Sequence, residues 1–228
     1  MHPMKYLSIL FILTFLVGTN KNPQNQLPKG FVYVQELIPD IVLDIRYAGS
    51  HNFVGKPIRG YKQPRAILSK PAAEALYEVQ QELENVGYCL KIFDAYRPQR
   101  AVNHFMEWAK IENDTLMKQE FYPNIDKKDL FDLGYIATKS GHSRGGTVDL
   151  TLIDANTGKE LNMGGTYDFF GEISHHDTSQ ITPTQKQNRE LLKRTMSKHG
   201  FRSYPQEWWH YTLRMEPYPD TYFDFEVE

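Results

Sequence analysis

The stretch SGHSRGGTVDL (Ser140–Leu150) decides the local fold of its region, because two adjacent glycines precede a run suited to a β-strand. A helix is a poor interpretation, since each glycine would cost it about 1 kcal/mol relative to alanine. The run Thr147–Ile153 is rich in β-branched and apolar residues, which favours a strand. The glycine turn then carries His142 back toward Asp149, early in that strand. An imidazole and a carboxylate brought together in this way can share a proton or a metal ion.

The N-terminus has the pattern of a secretory signal. Lys5 precedes the uncharged run Tyr6–Val17, which is shorter than the ~20 residues that a membrane span needs. We therefore expect residues 1–20 to be a signal peptide, 21–30 a polar lead segment and 31–228 one domain. The protein is then periplasmic or secreted, with no stable membrane insertion after signal removal. An uncleaved anchor is the alternative.

The composition argues against binding to nucleic acid or to an acidic membrane, and against internal disulfides. A formal net charge of −2 and a pI near 6.5 give no reason to expect nucleic acid or an acidic membrane as partner. Cys89 is the only cysteine, so no internal disulfide can form. Its alternating neighbourhood indicates a buried, unreactive thiol. The sequence does not specify an oligomeric state.

Helical and strand patterns occur along the chain but do not alternate regularly. This favours a single α+β domain, with an antiparallel sheet and flanking helices, over a doubly wound sheet. Two long segments, 112–137 and 154–182, are predicted to be irregular loops of the kind that line sites. The predicted helices run from Ser69 to Gly87, from Pro98 through Ala109, and from Thr184 to His199. The predicted strands lie near Phe31–Gln35, Tyr88–Tyr96, Val148–Ile153 and Trp208–Leu213.

Most of the eight histidines have ordinary structural explanations. His51 and His199 are predicted to be surface residues, and His104 is three residues before Glu107, a spacing typical of a solvated pair. The neighbouring histidines of GEISHHDTSQ (171–180) lie in a polar loop, where either could touch a site.

The segment PQEWWHY (205–211) offers a second group of chemical interest. Glu207 precedes His210 by three residues and adjoins two tryptophans, whose apolar surroundings can raise the pKa of a carboxyl group and suit it to proton transfer. The alternative is a surface glutamate beside two core tryptophans. If the two segments meet, His142, Asp149 and His210 form a ligand set that catalytic Zn²⁺ accepts while keeping one position open. The spacing alone does not show that they meet.

These two segments resemble the zinc motifs of the D-alanyl-D-alanine dipeptidases, the vancomycin-resistance dipeptidase type within the D,D-peptidase superfamily that includes hedgehog-like domains. The resemblance runs in order from about Phe31 to Glu228. It departs from the superfamily pattern at Thr147, where alanine is usual, and in the N-terminal segment, which some relatives lack. The further matching motifs are NFVGKPIRGY, DAYRPQRAV, FYPNID, SHH and EPYPDTYFDF.

The resemblance implies a hedgehog/D,D-peptidase-like fold and a zinc centre with one Zn²⁺ per chain. In that reading His142, Asp149 and His210 hold the ion, and zinc-bound water is the nucleophile. Glu207 is implied to be the general base. The expected reaction is hydrolysis of a small D,D-dipeptide, D-Ala-D-Ala, to two D-alanines.

The resemblance also implies substrate contacts. Arg97 is expected to stabilise the transition state, a role that suits a permanently charged guanidinium; a salt bridge with Asp94 is the structural alternative. Asp168 is the candidate for the substrate ammonium, and Tyr47 and Ser140 match positions that line the pocket.

Two other functions stay open at this point. One is an enzyme that trims D-amino-acid peptides still attached to peptidoglycan, which would need an open cleft. The other is a zinc-bearing binding module without catalysis, against which the presence of both Glu207 and Arg97 argues.

Overall fold

The computed structural model describes residues 27–228. The predicted signal peptide and most of the polar lead segment lie outside the described residues. The β-strands are β1 Phe31–Tyr33, β2 Val42–Leu43, β3 Ile67–Ser69, β4 Tyr88–Asp94, β5 Thr147–Asp154, β6 Phe201–Tyr204 and β7 Glu207–Leu213. The α-helices are α1 Val34–Leu37, α2 Lys70–Glu84, α3 Gln99–Ala109, α4 Lys118–Phe121 and α5 Pro183–Lys198.

The centre of the fold is a five-stranded sheet with the strand order β2-β4-β5-β7-β6. Three neighbouring pairs are antiparallel, as predicted. At one edge the short strand β2 runs parallel to β4, so the sheet is mostly antiparallel. Two residues are too short a strand to leave a period-2 pattern in the sequence. Strands β1 and β3 form a separate antiparallel pair, and the architecture is α+β.

Strand β5 lies in the middle of the sheet and separates the core from the site. Every second residue of β5 from Val148 to Leu152 is apolar and fully buried: Val148, Leu150 and Leu152. Asp149 lies between the first two. Since successive side chains of a strand point to opposite faces, these three and Asp149 lie on different faces. Helices α2 and α5 pack against the sheet and against each other, so its apolar residues are covered.

The predicted elements are present, with altered boundaries. Helix α2 begins after Ser69, but the Ser69 side chain accepts no capping hydrogen bond. Helix α5 is better defined, because Thr182 and Gln185 form a reciprocal capping box. The predicted strand 31–35 ends at Tyr33, where the chain turns into the short helix α1. Strands β2, β3 and β6 were not predicted.

The two segments predicted to be irregular connect these elements and contain only short helical turns. The first holds α4 and the 3-10 turn Lys127–Asp129, and the second holds the turn Glu172–Ser174. Both contribute residues to the cavity described below, as predicted. Within residues 27–228, no helix has both the length and the apolar character that crossing a membrane requires.

Candidate metal centre and active site

Two paired strands and one turn bring together the three predicted metal ligands. Asp149 on β5 lies directly opposite His210 on β7 in the antiparallel register. His142 comes from the 3-10 turn Gly141–Arg144 that precedes β5, and the Ser140 side chain accepts a hydrogen bond from the His142 backbone N–H at 3.3 Å. The turn ends at Gly145 with φ of +77°, a left-handed conformation that favours glycine. The two segments therefore meet, a point that their spacing in the sequence had left open.

The three side chains present a compact set of donor atoms. His142 Nε2 lies 3.3 Å from Asp149 Oδ1 and 3.3 Å from His210 Nδ1, and His210 Nδ1 lies 3.1 Å from Asp149 Oδ1. One ligand atom from each residue therefore falls within 4.8 Å of the others. Two imidazoles and one carboxylate are a donor set that suits zinc and leaves a coordination position free. These residues could hold a metal ion.

The orientation of His142 is fixed from behind. Its Nδ1 lies 2.7 Å from the backbone carbonyl oxygen of Ala95. A carbonyl only accepts, so Nδ1 carries the hydrogen and donates it. The lone pair of the neutral ring is then on Nε2, which faces Asp149 and His210. Such a support behind a ligating imidazole is typical of metal sites.

Asp149 has one satisfied and one unsatisfied oxygen. The Tyr167 hydroxyl donates to Oδ2 at 3.1 Å, whereas Oδ1 is buried and has no hydrogen-bond partner among the described residues. Burial alone would raise the pKa of Asp149, but the adjacent imidazoles of His142 and His210 hold it below its ordinary value. The nearest polar atoms to Oδ1 are His142 Nε2 at 3.3 Å and His210 Nδ1 at 3.1 Å, so a cation bound there would contact all three residues.

The pKa of His210 indicates that the carboxylates around the three ligand atoms favour a positive charge there. Burial lowers the pKa of an imidazole, but the carboxylates of Asp149 and Glu207 outweigh burial and raise the pKa of His210 to about 9. A metal ion has to displace that proton.

Glu207 is the first residue of β7 and borders the ligand set. Its Oε2 lies 3.3 Å from His210 Nδ1, and its side chain is 31% exposed, against 2% for Asp149. The adjoining Trp208 and Trp209 are buried. Glu207 is thus placed between the metal-ligand atoms and the open part of the cavity.

Arg97 follows β4, and its position fits both predicted roles: a salt bridge with Asp94 and a place at the cavity. Its Nε donates to Asp94 Oδ2 at 2.8 Å, so the predicted salt bridge exists. The guanidinium also lines the cavity, with Nη2 3.6 Å from Asp149 Oδ2. Asp94 is fully buried and accepts a further hydrogen bond from Tyr61 at 2.6 Å. The salt bridge fixes the direction in which Arg97 points.

Asp168 is buried in the second irregular segment and has an unusual backbone. Among residues 27–228 it is the one residue other than glycine with positive φ, at +60°, and such outliers cluster at functional sites. The Tyr47 hydroxyl donates to its Oδ2 at 2.8 Å. Burial and the nearby Asp149 charge raise the pKa of Asp168 well above its usual range, although Arg97 and Tyr47 oppose this. A cationic ligand group would favour its ionised form.

All eight predicted site residues line one cavity of about 310 Å³. This volume is at the lower end of the ~300–1,000 Å³ range of small-molecule sites. The predicted residues in it are Tyr47, Arg97, Ser140, His142, Asp149, Asp168, Glu207 and His210.

The other candidate residues lie elsewhere. His51 is exposed and contacts Glu120, and His199 contacts Glu82. His104 accepts a hydrogen bond from the Arg59 backbone N–H rather than pairing with Glu107. Neither His175 nor His176 lines the cavity. The Cys89 thiol is partly buried rather than buried, and burial raises its pKa.

Sequence reasoning missed two groups that support the ligands. Tyr167 carries a signal that could have been noticed, because it precedes Asp168 directly in TYDFF. The Ala95 carbonyl carries none, since a backbone oxygen belongs to every residue. Both groups are found only through their contacts with Asp149 and His142.

The threonine at position 147, where the superfamily pattern usually has alanine, is accommodated without disturbing the ligands. Its hydroxyl is 2.9 Å from that of Thr212 on the neighbouring strand, so the buried oxygen is hydrogen-bonded. A Cβ on Gly141 would lie 2.8 Å from Thr147 Oγ1. Glycine at position 141 therefore leaves room for the added hydroxyl.

An α+β fold whose small cavity combines a His-Asp-His donor set with a glutamate and an arginine defines a hydrolase of the metallopeptidase class. A family model described as D-ala-D-ala dipeptidase, peptidase M15, matches residues 28–228. The chain belongs to this family.

Individual relatives are similar over most of their length. A D-alanyl-D-alanine dipeptidase of Streptomyces coelicolor is 46% identical over 197 residues, covering 86% of this chain and 98% of the relative. A D-alanyl-D-alanine dipeptidase of Enterococcus faecalis is 46% identical over 198 residues, covering 87% and 98%. Among solved structures, a Zn(II) complex of a variant of the vancomycin-resistance D,D-pentapeptidase VanY matches with a TM-score of 0.40 and 13% identity, covering 69% of this chain and 78% of that one.

Proposed function

We propose that this protein is a zinc-dependent dipeptidase that hydrolyses free D-Ala-D-Ala to two D-alanines. One observation carries the proposal: one donor atom from each of His142, Asp149 and His210 lies within 4.8 Å of the others, beside Glu207. Membership of the D-ala-D-ala dipeptidase family supports the choice of substrate.

The metal centre would be held by His142 Nε2, Asp149 Oδ1 and His210 Nδ1. Zn²⁺ supplies a Lewis acid for the scissile carbonyl and makes water a nucleophile near neutral pH. The Ala95 carbonyl and the Tyr167 hydroxyl keep the ligands in position, because each holds the atom that does not face the centre.

Glu207 has the position of a general base. Its carboxylate is close to the ligand atoms and open to the cavity, so it can accept a proton from the attacking water and later deliver one to the leaving amine. The water oxygen bonds to the carbonyl carbon, the C–N bond breaks, and the water proton leaves on the amine.

Arg97 is placed to stabilise the negative charge that develops on the carbonyl oxygen. Its charge is permanent, its orientation is fixed by Asp94, and it reaches the cavity wall next to Asp149. The Asp94 salt bridge therefore serves this role rather than replacing it.

Asp168 and Tyr47 are placed to bind the substrate ammonium. A buried ammonium needs an ionised partner, and the raised pKa of Asp168 means that its charge is costly until such a partner arrives. The Tyr47 hydroxyl orients the carboxylate. Ser140 lines the cavity, and its side-chain oxygen accepts from the His142 backbone N–H, which leaves its O–H free to donate to the substrate.

The test compares kcat/KM for D-Ala-D-Ala, its N-acetyl form and a pentapeptide that ends in D-Ala-D-Ala. A cavity of about 310 Å³ favours the free dipeptide, and acetylation removes the ammonium that Asp168 pairs with. We expect acetylation to reduce kcat/KM by at least ~10³-fold, as when a site built for a polar group loses it. Comparable rates on all three substrates would reject the proposal in favour of an enzyme that trims peptidoglycan peptides.

We further propose that the protein is exported and that Lys5 and the apolar run Tyr6–Val17 form its signal. N-terminal sequencing of the protein from its own host should then begin near residues 19–21. Recovery of an intact Met1 from soluble cytoplasm would contradict export and leave the dipeptidase proposal unaffected.

A further inference from the structure

Lys139 is a cation at the cavity that the proposed chemistry does not use. It lies beside Ser140 on the segment that leads into the His142 turn, and it lines the cavity. The residue is exposed, and its Nζ lies 4.7 Å from the centre of the Tyr222 ring. Within residues 27–228, no carboxylate forms an ion pair with Lys139. Tyr222 itself does not line the cavity, so the ammonium has to turn from that ring to meet a ligand, which the flexible lysine stem allows.

The other permanent cation that lines the cavity is Arg97, and its charge is already shared. Arg97 is bound to the fully buried Asp94 and lies near Asp149. The carboxylates lining the cavity are those of Asp149, Asp168 and Glu207. Among the side chains that line the cavity, Lys139 adds the second permanent positive charge, and it is the one that no carboxylate shares.

A free dipeptide brings two charged ends into such a cavity. The ammonium has Asp168, and the carboxylate, once removed from water, needs a cation or hydrogen-bond donors of its own. A lysine suits this task, because its flexible stem lets the ammonium follow a small ligand and its three N–H donors can meet either carboxylate oxygen.

We propose that Lys139 binds the C-terminal carboxylate of the dipeptide and so selects substrates that end at that residue. The inference rests on the proposed function and deepens it. Asp168 then binds the ammonium and Lys139 binds the carboxylate. Because both ends must be bound at once, the cavity selects a molecule of two residues. Since Lys139 is exposed, its ion pair is screened by solvent and its effect is smaller than that of a buried charge.

The experiment pairs a change in the protein with a change in the substrate. Wild type, Lys139→Met and Lys139→Arg are compared on D-Ala-D-Ala and on D-Ala-D-alaninamide, which keeps the scissile bond but lacks the carboxylate. D-alanine released is measured for both. We expect Lys139→Met to lower kcat/KM for D-Ala-D-Ala about 10-fold, mainly through KM, as for a partly exposed charged hydrogen bond. It should leave the amide rate unchanged, and Lys139→Arg should restore most of the preference.

Lys128→Met is the matched control, because Lys128 is exposed and does not line the cavity. It should behave as wild type on both substrates. If Lys139→Met slows both substrates equally, or slows neither, the carboxylate assignment is wrong while the dipeptidase proposal stands. If wild type hydrolyses neither substrate, the proposed function fails and the assignment of Lys139 fails with it.

Discussion

The β5–β7 pair and the irregular segment 154–182 contribute to the same cavity but are held in place by different means. Asp149 and His210 are opposite residues of a regular ladder in the middle of the sheet. Asp168 belongs to a chain segment without a long element of its own and has a left-handed backbone. The proposed metal chemistry therefore depends on strand pairing, and the proposed substrate selection on the placement of a loop.

The loop is held largely by one buried side chain. Arg189 of helix α5 donates to three backbone carbonyl oxygens of this segment, those of Met163 at 2.6 Å, Ile173 at 2.8 Å and His175 at 2.8 Å. Five donors in a fixed fork allow one guanidinium to bind several carbonyls at once. The Met163 and Ile173 contacts flank Asp168 in sequence, so Arg189 fixes both sides of the proposed ammonium site.

Removing a metal ligand should have the largest effect, because it breaks the strand-borne part of the site. His142→Ala and His210→Ala should each lose bound zinc and with it all measurable hydrolysis, since two remaining ligands hold the ion poorly. Metal analysis of the purified variants checks this, with His199→Ala as a control whose ring contacts Glu82 outside the cavity. Full zinc occupancy in both ligand variants would show that the assignment is wrong.

Replacing Glu207 on β7 should lower the rate of hydrolysis without removing the metal ion. Glu207→Gln keeps the size of the side chain but removes the base, so we expect kcat to fall by at least ~10²-fold. Zinc content and Tm should stay close to wild type, because Glu207 is partly exposed. Near-normal turnover in this variant would mean that another group takes the proton.

Replacing Arg189 should damage the loop and spare the metal centre. Arg189→Met leaves one buried carbonyl and two partly buried ones without their donor, and an unsatisfied buried group costs about 1–3 kcal/mol. We expect a lower Tm, retained zinc, and a roughly 10-fold smaller discrimination between free and N-acetylated dipeptide, because Asp168 is less firmly placed.

Arg194→Met is the control on the same helix, since Arg194 is exposed. It should change neither Tm nor discrimination. A loss of zinc in Arg189→Met would show that the strand pair and the loop are not independent, and would remove the contrast between the two regions.

The smallest expected effect is a gain in stability when Asp168 is replaced, whereas the preceding substitutions lower activity or stability. The pKa of Asp168 is higher in the folded than in the unfolded protein, so the folded state binds the proton more tightly. Stability from this group is therefore present at low pH and is lost as the pH rises through the folded pKa. Asparagine cannot ionise and tolerates the left-handed backbone.

Asp168→Asn should accordingly stabilise the substrate-free protein near pH 8 by about 1 kcal/mol, or roughly 2–4 °C in Tm for a chain of this size. The gain should shrink toward pH 4, while dipeptidase activity falls at every pH. Thermal unfolding across that range measures it. A gain that is constant with pH would indicate that ionisation of Asp168 is not its cause.

The local features of the fold could be predicted because their signals are local. Glycines and β-branched residues placed the His142 turn ahead of a strand, and apolar spacing located α2, α3 and α5. The short strands β2, β3 and β6 were missed, since two to four residues carry too little periodicity. Helix α2 begins where it was predicted, although the buried Ser69 hydroxyl before it finds no hydrogen-bond partner among the described residues.

By itself the sequence determined which residue types are available and which of them share a turn or a strand, as His142 and Asp149 do. Only the tertiary structure decided that Asp149 faces His210, that Ala95 supports His142, and that Arg189 fixes the segment of Asp168. The physical reason is the distance along the chain over which each kind of interaction acts. Backbone propensities act over a few residues, whereas contacts between distant segments follow from strand register and from burying the whole core, which no short stretch specifies alone.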